Sequence, residues 1–212
     1  MKNTILAAAL VAGTMVGGVA NASILTGTFA INIYNYSAGS FSGAAATPAN
    51  VAAVAADSAT LDFSITYSGG LDFYTQATNS SQTASYFPTP TIEEFLNTGT
   101  NASFNATGLN ILMTESGFGT TTLFDITGDL GNSGIVDGVI THDDGIYWDP
   151  QFGATVDKSD PVSITSTNIG ASSGTFRLIY SAANDNPEVL KVDVNPVPLP
   201  AAVWLFGSAL LG

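Results

Sequence analysis

The sequence predicts an all-β fold, an antiparallel β-sandwich of jelly-roll-like character, with a signal helix at the N-terminus and a hydrophobic helix at the C-terminus. Three observations predict the sandwich. Several short segments alternate apolar and polar residues at period two, the mark of half-buried strands. Turn-forming clusters separate them: Ser68-Gly69-Gly70, Gly131-Asn132-Ser133-Gly134 and Ala183-Asn184-Asp185-Asn186-Pro187. No strand–helix–strand rhythm runs through the chain, which argues against a parallel sheet.

The chain opens on MKNTILAAALVAGTMVGGVANAS. Lys2 is a charged n-region, Ile5 to Val19 an apolar h-region, and Ala20-Asn21-Ala22 a small-x-small cleavage site. These three parts, in this order, predict a signal peptide over residues 1–22 and a mature chain that starts near Ser23 outside the cytoplasm.

Residues 23–194 are expected to form the sandwich domain. In ATLDFSITY, Leu61, Phe63, Ile65 and Tyr67 share one face, while Asp62, Ser64 and Thr66 share the other. In GTFRLIYSA, Phe176, Leu178 and Tyr180 alternate with Arg177 and Ile179. TFAINIYNY, TTLFDITGDL, PVSITST and EVLKVDV read as strands in the same way. One short helix is expected at TIEEFLN, where Thr91 caps and Glu94, three residues on, completes a capping box. Ala44 to Ala56 suits either a short helix or a loop. Thr75 to Asn105 is polar and reads as surface loops around the short helix.

Composition narrows the partners. Of the chain's 4 Lys and Arg, Lys158, Arg177 and Lys191 alone lie beyond the signal peptide, against 17 Asp and Glu. So acidic a surface repels nucleic acid and anionic lipid, whose binding depends on Lys and Arg, and it favours cations. The chain has no Cys. That excludes a disulfide framework, thiolate zinc sites, iron–sulfur clusters and a Cys nucleophile.

From Asn195 the chain turns to Pro-Val-Pro-Leu-Pro, an extended spacer over residues 195–200. The apolar run 201–212 follows. As a helix it would reach ~18 Å, short of a bilayer core of about 30 Å. Val197-Pro198-Leu199-Pro200-Ala201, followed by the run containing Trp204, Leu205 and Phe206, resembles the PEP-CTERM family of sorting tails in its VPLPA form. The resemblance implies an exported protein of a Gram-negative cell, anchored in the membrane by its tail until an exosortase-type protease processes it, and then placed on the cell surface or in the extracellular matrix. Family tails continue through a full transmembrane helix to a basic cluster. The expectation is therefore that residues 201–212 are a truncated transmembrane sorting segment.

The second informative stretch is VITHDDGIYWD. Eight of the 17 acids fall between Asp125 and Asp160, and Asp143 and Asp144 sit side by side next to the chain's one His. Clustered hard oxygen ligands suit Ca²⁺, although the spacing is not that of an EF-hand. An Asp-Asp-Gly sequence is also an ordinary turn, with Gly145 supplying a positive φ. His142 reads as a half-exposed strand-end residue.

The sequence from Thr120 to Val194 resembles the second half of a PA-fourteen domain: LFDITGDL, then GIVDGVITHDDGIYWD, then SGTFRLIYSAANDNPEVLKV. This is a β-sandwich found in bacterial toxins, yeast flocculins and some glycosidases. In its lectin members two Asp joined by a cis peptide, with a later Asn, hold Ca²⁺, which in turn holds sugar hydroxyls. Asp143 and Asp144 match that pair, and Asn184 or Asn186 matches the later Asn. The resemblance thus implies calcium as cofactor and a polysaccharide as partner. Tyr147 and Trp148 are candidates to stack on a sugar ring, against the alternative that they are core.

Catalytic signatures do not accumulate. There is no G-x-S-x-G, H-E-x-x-H or phosphate loop. Glu93, Glu94 and Glu115 are glycosidase carboxylates on paper, but adjacent Glu on a short helix point apart. The sequence therefore reads as a non-enzymatic surface protein, either a calcium-dependent carbohydrate-binding module or a purely structural component, with a glycoside hydrolase as the third alternative.

Overall fold

The alternation does fold into strands. The computed structural model describes residues 22–75, 90–131, 134–185 and 187–196; residues 1–21 of the expected signal peptide, the expected sorting motif Val197 to Ala201, the apolar run and Asn186 lie outside the described residues. In chain order the strands are β1 (Ser23–Ile24), β2 (Thr26–Tyr36), β3 (Leu61–Gly70), β4 (Asp72–Tyr74), β5 (Ser103–Phe104), β6 (Thr121–Asp129), β7 (Ile135–Asp143), β8 (Ile146–Gly153), β9 (Val156–Lys158), β10 (Thr165–Asn168), β11 (Ser172–Ala183) and β12 (Val189–Pro196). Two helices join them, α1 (Pro48–Ala56) and α2 (Ile92–Asn97). Among the described residues no helix is long and apolar enough to cross a membrane.

All strand pairings are antiparallel and they resolve into two layers. The first runs β9-β8-β11-β6-β2-β3-β5, with β11 paired along its length to both β6 and β8. The second is built on β7 and β12, flanked by β10, β1 and β4. A single pairing, Ser172 with Ile135, connects the layers. Inward residues of both fill one apolar cluster: Phe29, Ile31, Phe124, Ile126, Leu178 and Tyr180 from the first layer, Ile140, Leu190 and Val192 from the second. This is the packing of an aligned sandwich, whose facing side chains make the core.

The short helix has the cap that its sequence announces. Thr91 Oγ1 accepts from the Glu94 amide at 3.2 Å, and Glu94 Oε2 accepts from the Thr91 amide at 2.9 Å. The segment is not a surface feature, however. Ile92, Phe95 and Leu96 are fully buried, and Phe95 packs 5.5 Å from Phe124 and 5.9 Å from Tyr180 between ring centroids. The helix closes one end of the core, because three apolar side chains at i, i+3 and i+4 are worth about 1.5–3 kcal/mol each when buried.

The Ala-rich stretch resolves into a 3-10 turn, Ser42–Ala44, followed by α1, which begins on Pro48 with Thr47 as its cap. Val51 and Val54 of α1 cover the outer face of the first layer, over Leu123 and Ile179. So Ile179, which alternates out of the main core, is buried all the same. PVSITST is only partly strand. Pairing begins at Thr165, and Pro161 to Ile164 form a loop.

Candidate functional site

β7 ends on Asp143, and Gly145 opens the way to β8, so the acid pair lies at one end of the sandwich. Both side chains are buried, Asp143 9% and Asp144 6% exposed. The peptide bond between them is cis. Gly145 does not have the positive φ expected of it. What requires Gly there is close approach: a Cβ would stand 2.0 Å from the carbonyl oxygen of Ser159.

The turn is gripped from beneath through its own carbonyls. Tyr180 donates its hydroxyl to the carbonyl of Asp143. His142 Nδ1 donates to the carbonyl of Asp144, and its Nε2 accepts from the Thr167 hydroxyl at 2.9 Å. The Asp144 carbonyl can only accept, so Nδ1 carries a proton, and Nε2 accepts from Thr167 in the neutral ring. Burial keeps it neutral by lowering the His142 pKa. His142 is thus fully buried, not the half-exposed residue that its place at a strand end suggests. It positions the turn.

Tyr180 also lies 2.8 Å from Glu188 Oε2. A hydroxyl has one hydrogen, and here it meets two acceptors, so Glu188 must bring the second proton. Burial, together with Asp144 nearby, pushes the Glu188 carboxyl well above its ordinary range. The result is a buried chain, Glu188 to Tyr180 to the Asp143 carbonyl. The sequence carried no signal for this chain, because Tyr180 reads as one more core residue of its strand.

The carboxylates themselves line a cavity of about 320 Å³. Asp144 Oδ2 accepts from the Ala183 amide at 2.8 Å, and Asp143 accepts a backbone hydrogen bond from Ile164. Burial raises Asp143 to about 6. Burial and the neighbouring Asp143 raise Asp144 to about 8. Among the described residues the ion pairs are Arg177 with Asp125 and Lys191 with Asp193; no Lys or Arg pairs with Asp143 or Asp144.

Asn184 and Asp185 line the same cavity, both with positive φ. Asn184 Oδ1 accepts from the Gly117 amide at 2.9 Å, which leaves it a second lone pair. Asn186 lies outside the described residues. Pro161 and Val162, in the loop before the strand that begins at Thr165, form a further wall. Phe41 and Phe118 complete the rim, brought from far along the sequence and unmarked in it.

The other aromatic candidates go elsewhere. Trp148 is fully buried and stacks on Phe176 at 4.8 Å between centroids, so no ligand reaches it. Tyr147, on the opposite face of β8, is half-buried against the cluster under α1 and does not line the cavity. Two residues adjacent on a strand point to opposite sides, and neither side here is the site.

The donor set suits a hard divalent cation. Paired carboxylates and a side-chain amide oxygen are oxygen ligands of the kind that Ca²⁺ takes, and side-by-side buried carboxylates require compensating charge to stay ionised. Among the described residues no group of three or more His, Asp and Glu converges on one point, so Asn184 and backbone oxygens must complete any coordination sphere.

No family model matches the sequence, and no curated protein matches it. Among solved structures, the chain is similar to one described as "PA14 sugar-binding domain from RTX adhesin", with 12% identity and a TM-score of 0.48 over 81% of this chain and 91% of that one.

Proposed function

We propose that the chain is an exported cell-surface or matrix protein, delivered through its sorting tail, whose sandwich domain binds carbohydrate through Ca²⁺ held by Asp143, Asp144 and Asn184. The observation that carries this reading is the pair of buried carboxylates on a cavity wall, with no Lys or Arg opposite them among the described residues. Bound Ca²⁺ supplies the missing positive charge and open coordination positions for vicinal hydroxyls. The protein's part is to hold the two Asp in register, through Tyr180 and His142, and to keep the cavity open beside them. The ligand class comes from the sequence resemblance. Its role is binding, not catalysis.

The test is a thermal melt in millimolar Ca²⁺ and in chelator, followed by binding to a polysaccharide panel under both conditions. Ligation to the native state alone stabilises by RT ln(1 + [L]/Kd), about 2.7 kcal/mol at a hundredfold excess over Kd, and glycan binding should require the ion. Coincident melting curves would remove the calcium site and the lectin reading with it. The protein would then be a structural surface component with an acidic turn, a reading favoured by the lack of a third converging acidic or His side chain among the described residues.

A further inference from the structure

The cavity has an apolar side that the acid pair does not explain. Phe41 is 50% exposed at its rim. Its ring meets Phe118 edge-to-face at 6.2 Å and 81°. Leaving so large a side chain half in water forgoes burial that other aromatics in this chain obtain. Nor is Phe41 loose. The Gly39 amide donates to the Phe118 carbonyl at 3.3 Å, and the Tyr36 hydroxyl donates to the Gly43 carbonyl at 2.7 Å, so its loop is tied on both sides. Phe118 has φ +62°, an unusual conformation for so bulky a residue. The neighbouring Gly117 amide reaches Asn184, which links the aromatic pair to the polar wall.

We propose that Phe41 is the stacking platform of this site, and that the ring it stacks on is a neutral pyranose. The inference deepens the calcium-dependent reading above and rests on it. A pyranose presents hydroxyls at its edge and C–H groups on its faces. A cavity with hydroxyl-seeking chemistry on one side and an exposed aromatic ring on another matches both. The ligand is neutral because bound Ca²⁺ offsets Asp143 and Asp144 and leaves Asp185 on the cavity wall, with no Lys or Arg lining it among the described residues, so a uronic or sialic acid would meet like charge there.

The experiment uses the full 212-residue chain and titrates methyl glycosides of galactose, glucose, mannose and fucose, with methyl glucuronide as the anionic control, in Ca²⁺. Saturation-transfer NMR and calorimetry read binding. At least one neutral glycoside should bind and the glucuronide should not. Phe41→Ala should weaken the neutral ligand roughly tenfold, the scale of an aromatic contact. Its melt in chelator and its calcium shift should remain those of the wild type, and Phe41→Trp should bind as the wild type does. Unchanged affinity in Phe41→Ala with the calcium response intact overturns this inference alone, as does glucuronide binding as tight as the neutral sugars. A wild type that shows the calcium shift yet binds none of the glycosides overturns it too, leaving the metal site standing. A wild type without a calcium shift overturns the underlying reading.

Discussion

Asp125 and the Asp143–Asp144 pair are buried to nearly the same degree, 7%, 9% and 6% exposed, yet their surroundings treat them in opposite ways. Asp125, on the outer face of the first layer, receives both Nε and an Nη of Arg177, at 2.7 and 3.0 Å. Its charge is matched within the fold, in the planar two-bond geometry that guanidinium suits. Asp143 and Asp144 are set side by side at a cavity and given only amide hydrogen bonds. With one Arg and two Lys beyond residue 22, the fold places the Arg on the isolated acid and none of the three on the adjacent pair. The contrast teaches that burial alone does not mark a binding site. Burial without internal compensation, open to a cavity, does.

Four measurements break or sharpen that contrast. The largest effect should come from Gly145→Ala. The new Cβ would lie 2.0 Å from the Ser159 oxygen, and overpacking against backbone costs about 3 kcal/mol. The displaced turn should also lose its calcium response. Wild-type stability in this variant would show that the close approach does not hold the site.

Next is Asp143→Asn with Asp144→Asn. The gain of about 2.7 kcal/mol at a hundredfold excess of Ca²⁺ over Kd should vanish, while circular dichroism shows the fold retained. A surviving calcium shift would move the ion to another cluster and end the contrast as drawn.

Arg177→Ala should cost about 2 kcal/mol, less than a fully buried pair because the Arg side chain is 34% exposed. Its calcium shift should be unchanged. Arg177→Lys should recover only part of the loss, since an ammonium cannot make both bonds. If Arg177→Ala weakened calcium binding, the two acidic regions would be coupled and not separate.

The smallest effect is in pH. Asp143 near 6 and Asp144 near 8 lie above their ordinary value, so the calcium-free folded state keeps protons that the unfolded chain has released. Their contribution is fully present below about pH 4 and is lost as pH rises to 8. His142, whose pKa is lowered, acts in the opposite sense, adding stability as pH rises towards 6.5, and is neutral in both states above it. From about pH 6.5 to 8, the Asp144 part of the loss in chelated protein should therefore be roughly 1.5 kcal/mol, with buried Glu188 acting in the same sense. Calcium affinity should rise over the same window, because the ion binds the deprotonated pair. The double Asn variant should keep only the slope that buried Glu188 contributes. A wild-type curve in chelator no steeper than that variant's would mean that the pair is already compensated.

Much of the frame was legible in the residue order. Period-two alternation marked β2, β3, β6, β11 and β12, because a half-buried strand must alternate. The Thr91–Glu94 capping box is a local hydrogen-bond pattern and formed as written. The Asp-Asp-Gly turn was visible as a local excess of carboxylates beside a His. Burial was harder to read. The stretch around α2 is polar overall, yet Ile92, Phe95 and Leu96 go into the core, because three apolar positions at helical spacing suffice to bury one face.

The sequence by itself determined the strands, the paired acids at the end of one of them, and the scarcity of cations to neutralise them. These follow from covalent order, from the alternation of side chains along a strand and from composition. Only the tertiary structure decided which aromatic meets the site. Tyr147 and Trp148 adjoin the acid pair in sequence, but β8 is covered on one face by the second layer and on part of the other by α1, so both are drawn into apolar packing. Phe41 and Phe118 reach the cavity instead, from loops far from Asp143 in the chain. Likewise Tyr180 and Glu188 come under the turn only because β11 and β12 flank it in the folded layers. Contacts of that kind depend on which strands neighbour which, a choice made by the burial of the whole core and written in no single segment.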